Sequence, residues 1–318
     1  MTIHTDSMYD VGHYYNFTKR KVMVMSISEQ LGPVKEVQLS QGTVRYREQG
    51  SGQPLLFVHG FLVNGDLWRG VAPRLAGEYR CIVPDWPLGS HTLAMNADAQ
   101  LAPPQVAELI IEFADALGLD SPVLVANDSG GALSQMAVAS APERFGALVL
   151  TPCDGFDKFP PAPYNAMPPI ARTPVLRALL AQSMRLRFIR WAAFRPLLKH
   201  GYDGALVRSW CQPITADPGV RRDALKFMGG ASTSQTLDAA TRFAEFRKPV
   251  LLLWPPQNRF FKYSLAERLA AAFPDSRLVP IDDGATFLSL DQPERVATEI
   301  AAFIEEAVLP AAVGQPVL

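Results

Sequence analysis

Apolar residues in this chain come in short dense runs separated by stretches of helical spacing. VKEVQLS and TVRYRE flank a turn at Gln41 and Gly42 and predict an opening β-hairpin. PLLFVHG, RCIVPDW, PVLVAN, GALVLTP, PVLLLW and SRLVPI follow. These runs are nearly all apolar instead of alternating, which predicts parallel strands buried on both faces. Between them the apolar spacing turns helical around Leu67–Ala76, Pro104–Leu117, Ala132–Ser140, Leu265–Phe273 and Pro293–Ala307. Strands alternating with helices predict an α/β fold with a mostly parallel β-sheet flanked by helices.

One interval breaks this rhythm. Between GALVLTP and PVLLLW the chain opens with the proline-rich FPPAPYNAMPP and continues with TPVLRALL, MRLRFIRWAAFRPLL, GALVRSWCQP and GVRRDALKFM, all helical in period. This predicts a helical cap inserted at the C-terminal edge of the sheet, where open α/β proteins bind ligands. The expected organisation is a loose extension over 1–30, a core over 31–155, the cap over 156–240 and the rest of the core over 241–318.

Composition narrows the function. A chain of 318 residues, 48% hydrophobic, 19% charged and with net charge −1, suits one large core with an insertion. The charge balance argues against a nucleic-acid partner. No apolar run approaches the ~20 residues that span a bilayer, and the N-terminus lacks the apolar region of a secretory signal. The expectation is therefore a cytoplasmic protein with no membrane partner. Residues 1–30 have no period, and Met23 and Met25 offer later starts. Cys81, Cys153 and Cys211 are odd in number and widely spaced, which reads as reduced thiols. There is no GxGxxG, Walker or metal-ligand pattern, so no cofactor and no metal is expected.

The chemistry concentrates in VLVANDSGGALSQ. A nucleophile held on a sharp strand-to-helix turn needs small neighbours, in the pattern small-x-nucleophile-x-small. Aligned on the strand VLVA, this pattern falls on Ala126, Asn127, Asp128, Ser129 and Gly130, with Asp128 at the centre. Ser129 is the alternative nucleophile; Gly130 and Gly131, where the helix must pack closely, favour Asp128.

These motifs resemble the α/β-hydrolase superfamily, and within it the aspartate-nucleophile branch of haloalkane dehalogenases and epoxide hydrolases. The resemblance covers residues 33 to 308 and rests on FVHG, DWPLGS, the elbow, LLLWPPQNRFF and DDGATFLSLDQPERVA. It implies an oxyanion hole built from the backbone N–H groups of Phe61 and Ser129. It also implies a triad acid after VLLLW and a histidine before the last helix. Here the acid position is Asn258 and the histidine position is Thr286. The dehalogenase tryptophan after the nucleophile is Ser129, and the proline of the epoxide-hydrolase HGxP pattern is Leu62.

An ionised aspartate needs no base to attack an alkyl carbon, but hydrolysis of the resulting ester normally needs a histidine. His91, in the loop after a strand end, is the candidate substitute, and His200 lies in the cap. Asp154 falls near where some dehalogenases place their acid on the alternative strand, but with no histidine to orient it reads as a turn residue, and Cys153 as a small buried hydrophobe. Trp191, Phe194, Trp210, Phe227 and Met228 read as cap core or as walls of an apolar pocket. Tyr164 and Tyr202 are ordinary tyrosines that the epoxide-hydrolase resemblance would place near an epoxide oxygen. The expected function is a hydrolase acting through Asp128, as nucleophile or general base, on a small to medium hydrophobic epoxide, halide, ester or lactone. The alternative is an inactive relative that binds a hydrophobic ligand or a protein partner, and a homodimer is possible in either case.

Overall fold

The computed structural model describes residues 29–309 apart from 163, 167, 168 and 170–172; the expected extension over 1–30 lies almost wholly outside the described residues. Eight strands form one sheet: β1 Val34–Leu39, β2 Gly42–Gln49, β3 Pro54–Val58, β4 Arg80–Pro84, β5 Val123–Asp128, β6 Ala147–Cys153, β7 Val250–Trp254 and β8 Ser276–Pro280. Their order across the sheet is β1-β2-β4-β3-β5-β6-β7-β8. The hairpin β1–β2 is antiparallel and joins β4 antiparallel, and all later pairs are parallel.

The central strands are apolar throughout because both faces of the sheet are covered. Side chains alternate across a strand, so Leu56, Val58, Leu124 and Ala126 enter one core cluster while Leu55, Phe57, Val123 and Val125 enter the other. Helices α2 (Pro103–Ala116), α3 (Ser129–Ser140) and α9 (Tyr263–Ala272) cover the first face through residues such as Phe113, Leu133 and Leu269. Helices α1 (Ala72–Leu75), α10 (Leu288–Asp291) and α11 (Pro293–Phe303) cover the second through Leu75, Leu288, Val296 and Ile300.

Three expected elements differ. The helix expected over Leu67–Ala76 is a short 3-10 turn, Gly65–Trp68, followed by the four-residue α1 with Pro73 in its first turn. β8 is only half-buried, because it closes the sheet at an edge with no strand beyond it. The helix expected to begin at Ala132 begins at Ser129, which brings its first N–H groups up to the strand end.

Between β6 and β7 lie α4 (Pro174–Ser183), α5 (Arg187–Phe194), α6 (Gly204–Ala216), α7 (Pro218–Gly230), α8 (Thr233–Ala240) and short turns. Asp203 and Asp217 cap α6 and α7 by accepting from the amides of the first turn. α7 reaches down to the strand ends, where Phe227 stacks on Phe61 with ring centroids 5.9 Å apart. α8 packs on α3 and places Ala239 in the core cluster on that face. Residues that follow the C-terminal ends of β3, β5, β6, β7 and β8 therefore meet under the cap.

Candidate active site

Asp128 ends β5 and precedes α3 with φ 55° and ψ −134°, a backbone conformation that a side-chain-bearing residue adopts only under constraint. The constraint is packing of small residues around it. A Cβ on Gly130 would collide with the carbonyls of Val58 and His59, and one on Gly60 would collide with the Asp128 carboxylate itself. All of α3 from Ser129 to Ala139 is buried, which its run of glycine, alanine and serine permits. Asp128 keeps accessible surface, as do Phe61 and Leu62 beside it.

The backbone N–H groups of Phe61 and Ser129 lie against the Asp128 carboxylate, where they favour its charged form. The loop that carries Phe61 is anchored from below by His59. His59 Nε2 accepts from the Trp86 amide at 2.9 Å, so Nδ1 donates to the Gly60 carbonyl at 2.9 Å. Burial holds this imidazole neutral, with its pKa lowered to about 4. Leu62, at the expected proline position, has φ 58°, a value that the ring of proline cannot reach. Its amide is tied to the Leu88 carbonyl at 2.9 Å.

A second carboxyl group lies next to the first. Asp154 follows β6, is 0% exposed, and has no well-formed hydrogen bond to either carboxyl oxygen among the described residues. Burial, and then the charge of Asp128, push its pKa well above the usual carboxylate range, and the nearby Ser129 hydroxyl offsets only part of that. Burial also pushes Asp128 up, to about 6, against the pull of its two N–H donors. Burial thus disfavours a second charge on the pair. Asp128 is the better placed of the two for a charge, because the N–H groups of Phe61 and Ser129 and the N-terminus of α3 face it. Asp154, expected from the sequence to be a turn residue, is instead a buried carboxyl beside the nucleophile position.

The two altered triad positions also come together. Thr286 Oγ1 lies 3.5 Å from Asn258 Oδ1, and Asn258 Oδ1 accepts from the amides of Phe260 and Phe261 at 2.9 and 3.1 Å. Asn127, next to Asp128 in the chain, spans from the elbow to this pair. Its Nδ2 donates to the Thr286 carbonyl at 2.8 Å, the Thr151 hydroxyl at 2.9 Å and the Pro152 carbonyl at 3.0 Å. Gln135 Nε2 ties the Asp154 carbonyl to α3 at 2.7 Å. Asn127 and Gln135 carry no motif signal of their own; only burial of polar side chains inside an otherwise apolar element marks them. None of these groups takes up a proton near neutral pH.

The histidine candidates lie elsewhere. His91 is buried between the core and α7, where Nδ1 accepts from the Gly89 amide at 3.3 Å and Nε2 faces Asp223 Oδ2 at 3.4 Å. Both ring nitrogens are occupied, so His91 ties the cap to the core and has no nitrogen left for a water at Asp128. His200 is exposed, on the Asp283 carbonyl at 3.0 Å. Ser129 is the first residue of α3 and only 7% exposed, which leaves the elbow position to Asp128.

The roof over Phe61 and Leu62 is apolar, formed by Ala181 of α4, Ile214 of α6, and Ala224 and Phe227 of α7. Trp210 meets Phe287, the neighbour of Thr286, edge-on with centroids 5.8 Å apart. Phe194, Trp210, Phe227 and Met228 are buried, but Trp191 is 50% exposed and faces away from the fold, contrary to the expectation of core or pocket. Tyr202 is half-buried in the cluster on the other sheet face. Tyr164 begins a short turn, and its side chain lies outside the described residues. Two clefts, one between Arg69, His200 and Pro293 and one between Glu108, Ser140 and Arg242, are not lined by Asp128. Neither gathers a nucleophile with oxyanion donors, so the elbow remains the candidate centre.

Comparison with known proteins agrees with this architecture. Residues 53–293 match the family described as alpha/beta hydrolase fold. Haloalkane dehalogenase 2 of Mycobacterium tuberculosis is 28% identical over 269 residues, spanning 82% of this chain and 91% of that protein. The 2-hydroxy-6-oxo-6-phenylhexa-2,4-dienoate hydrolase of Burkholderia cepacia is 24% identical over 261 residues, 77% of this chain and 85% of that one. In fold, the crystal structure of haloalkane dehalogenase DbeA from Bradyrhizobium elkani matches with a TM-score of 0.73 at 21% identity, covering 88% of this chain and 99% of that one. With its strand order and elbow already pointing the same way, the chain belongs to the alpha/beta hydrolase fold family.

Proposed function

We propose that Asp128 is the nucleophile of a hydrolase for small to medium hydrophobic substrates with an electrophilic carbon, alkyl halides and epoxides before esters and lactones. The observation that carries this reading is a half-buried aspartate on a constrained elbow, with the N–H groups of Phe61 and Ser129 against its carboxylate. One carboxylate oxygen attacks the substrate carbon as the carbon–halogen bond breaks and the halide leaves, and an ester of Asp128 remains. With an epoxide the ring C–O bond breaks, and the alkoxide takes its proton from solvent. The apolar roof of Ala181, Ile214, Ala224 and Phe227 suits a hydrophobic chain. The names of the dehalogenase relatives support the same electrophile class.

The second step, attack of water on the ester carbonyl, uses the same two N–H groups to hold the oxyanion. It lacks the usual base, because Thr286 and Asn258 have no proton-accepting group near neutral pH and burial raises the hold of Asp154 on its proton. A general base is worth about 10²–10⁴-fold, so the ester outlives many encounters with substrate. Halide release from a bromoalkane tests this: a burst of one bromide per protein followed by a slow phase is expected. A linear release with no burst, or none at all from any alkyl halide or epoxide, would overturn the reading.

A further inference from the structure

The cap turns large apolar side chains toward solvent. Leu179 on α4 is 63% exposed, Leu186 between the helices 60%, and Phe188 and Trp191 on α5 70% and 50%. On α5 the division is by helical spacing: Arg190 and Phe194 point inward, Phe188 and Trp191 outward. α4 is divided likewise, with Ala181 packed toward Phe61 and Leu62 and Leu179 on the outside. The apolar face is thus the outer surface of the helices that roof the site.

The segment that carries it is basic, although Arg190 points inward and Lys158 and Lys199 lie beside Asp157 and Asp283. From 158 to 202 the sequence holds eight lysines and arginines and no acidic residue, in a chain whose net charge is −1. Arg185 and Arg187 are exposed and interleave with Leu186 and Phe188, and Arg185 donates to the Thr215 carbonyl at 3.1 Å rather than to a carboxylate.

We propose that this face of the cap docks on an anionic lipid bilayer. Leu179, Leu186, Phe188 and Trp191 enter the boundary between headgroups and acyl chains, and the arginines meet the anionic headgroups. Charge decides between a bilayer and a second copy of the chain, because a two-fold dimer would set the basic patch against itself. The absence of an apolar run long enough to span a membrane, which suggested no membrane partner, does not bear on docking from one side. A hydrophobic substrate dissolved in the bilayer would meet the protein at its roof. The docking itself is independent of the chemistry assigned to Asp128.

Trp191 supplies the readout, because Trp68, Trp86, Trp210 and Trp254 are 0% exposed. Vesicles of phosphatidylglycerol and phosphatidylcholine are expected to sediment the protein, shift its emission to the blue and shield it from a soluble quencher. High salt reverses this, and phosphatidylcholine alone does neither. Reversing both charges in Arg185→Glu/Arg187→Glu weakens binding by at least about tenfold, and Phe188→Ser weakens it comparably. Leu237→Ser, on the exposed face of α8, leaves it unchanged. No binding to anionic vesicles, equal binding to neutral ones, or binding indifferent to these cap substitutions would overturn the proposal. So would a Trp191 shift that grows with protein concentration in the absence of lipid, which would assign the face to a second copy.

Discussion

The site under the cap has two halves built from different materials. The elbow half, Asp128 with the amides of Phe61 and Ser129, is encoded mainly in backbone geometry: a positive φ, a helix N-terminus and close approach at Gly60 and Gly130. The partner half, after β7 and β8, is encoded in side chains, and there Asn258 and Thr286 stand where an acid and a histidine would make a charge relay. The partner half is not collapsed. Asn258, Thr286 and Asn127 are buried and joined through hydrogen bonds of 2.8 to 3.5 Å. What has gone is the capacity to move a proton, while the capacity to present a carboxylate remains. The two functions are thus separable in this fold, and each can be changed without the other.

The largest expected effect comes from removing the elbow's one reactive group. Asp128→Asn should lower single-turnover bromide release by about 10⁴-fold, measured with the protein in excess. In the parent protein that step should require the ionised form, rising from acid pH to a plateau with a midpoint near the Asp128 pKa of about 6. A flat profile from pH 5 to 8 would break the assignment. The partner half should respond in the opposite sense. Asn258→Asp/Thr286→His should raise the slow phase by about 10²–10⁴-fold without changing the burst, and an unchanged slow phase would show that the missing base is not what limits turnover.

Gly60→Ala probes how closely the carboxylate is placed. The added Cβ displaces the Asp128 carboxylate, and a misplacement near 1 Å should cost about 10²-fold in the burst rate. The smallest effect is thermodynamic. Burial raises the Asp154 pKa, so the folded protein holds that proton to higher pH than the unfolded chain, which releases it above its ordinary value. The unfolded state therefore gains as pH rises above that value, up to the raised folded-state pKa. Asp154→Asn keeps the shape and removes this penalty, so Tm at pH 7 should rise by roughly 2 °C. At low pH, where both states hold the proton, the gain should vanish.

Much of this was legible in the residues. Both-face burial writes itself as the continuous apolar runs of β3 to β7, and the elbow's need for small neighbours writes itself as Ala126, Gly130 and Gly131. The substitutions at Asn258 and Thr286 could be read because the motifs around them stand in chain order. The environment of single polar groups could not. Asp154 is a buried acid because β6 ends beside β5, and His91 is occupied because α7 brings Asp223 to it across 132 residues. Helical spacing showed that α5 is amphipathic but not that Trp191 belongs to its outer face, since Arg190, a charged residue, points inward and donates from Nη1 to the Met184 and Arg185 carbonyls.

The central claim is that Asp128 forms a bond to substrate that the rest of the site cannot readily break. Intact-protein mass after incubation with bromoalkanes and epoxides, followed by peptide mapping, addresses it directly. The predicted result is a persistent increase equal to the alkyl group, or to the whole epoxide, on the peptide that carries Asp128 and absent from Asp128→Asn. Product formed with no adduct at any time, or an adduct that survives in Asp128→Asn, would contradict the account.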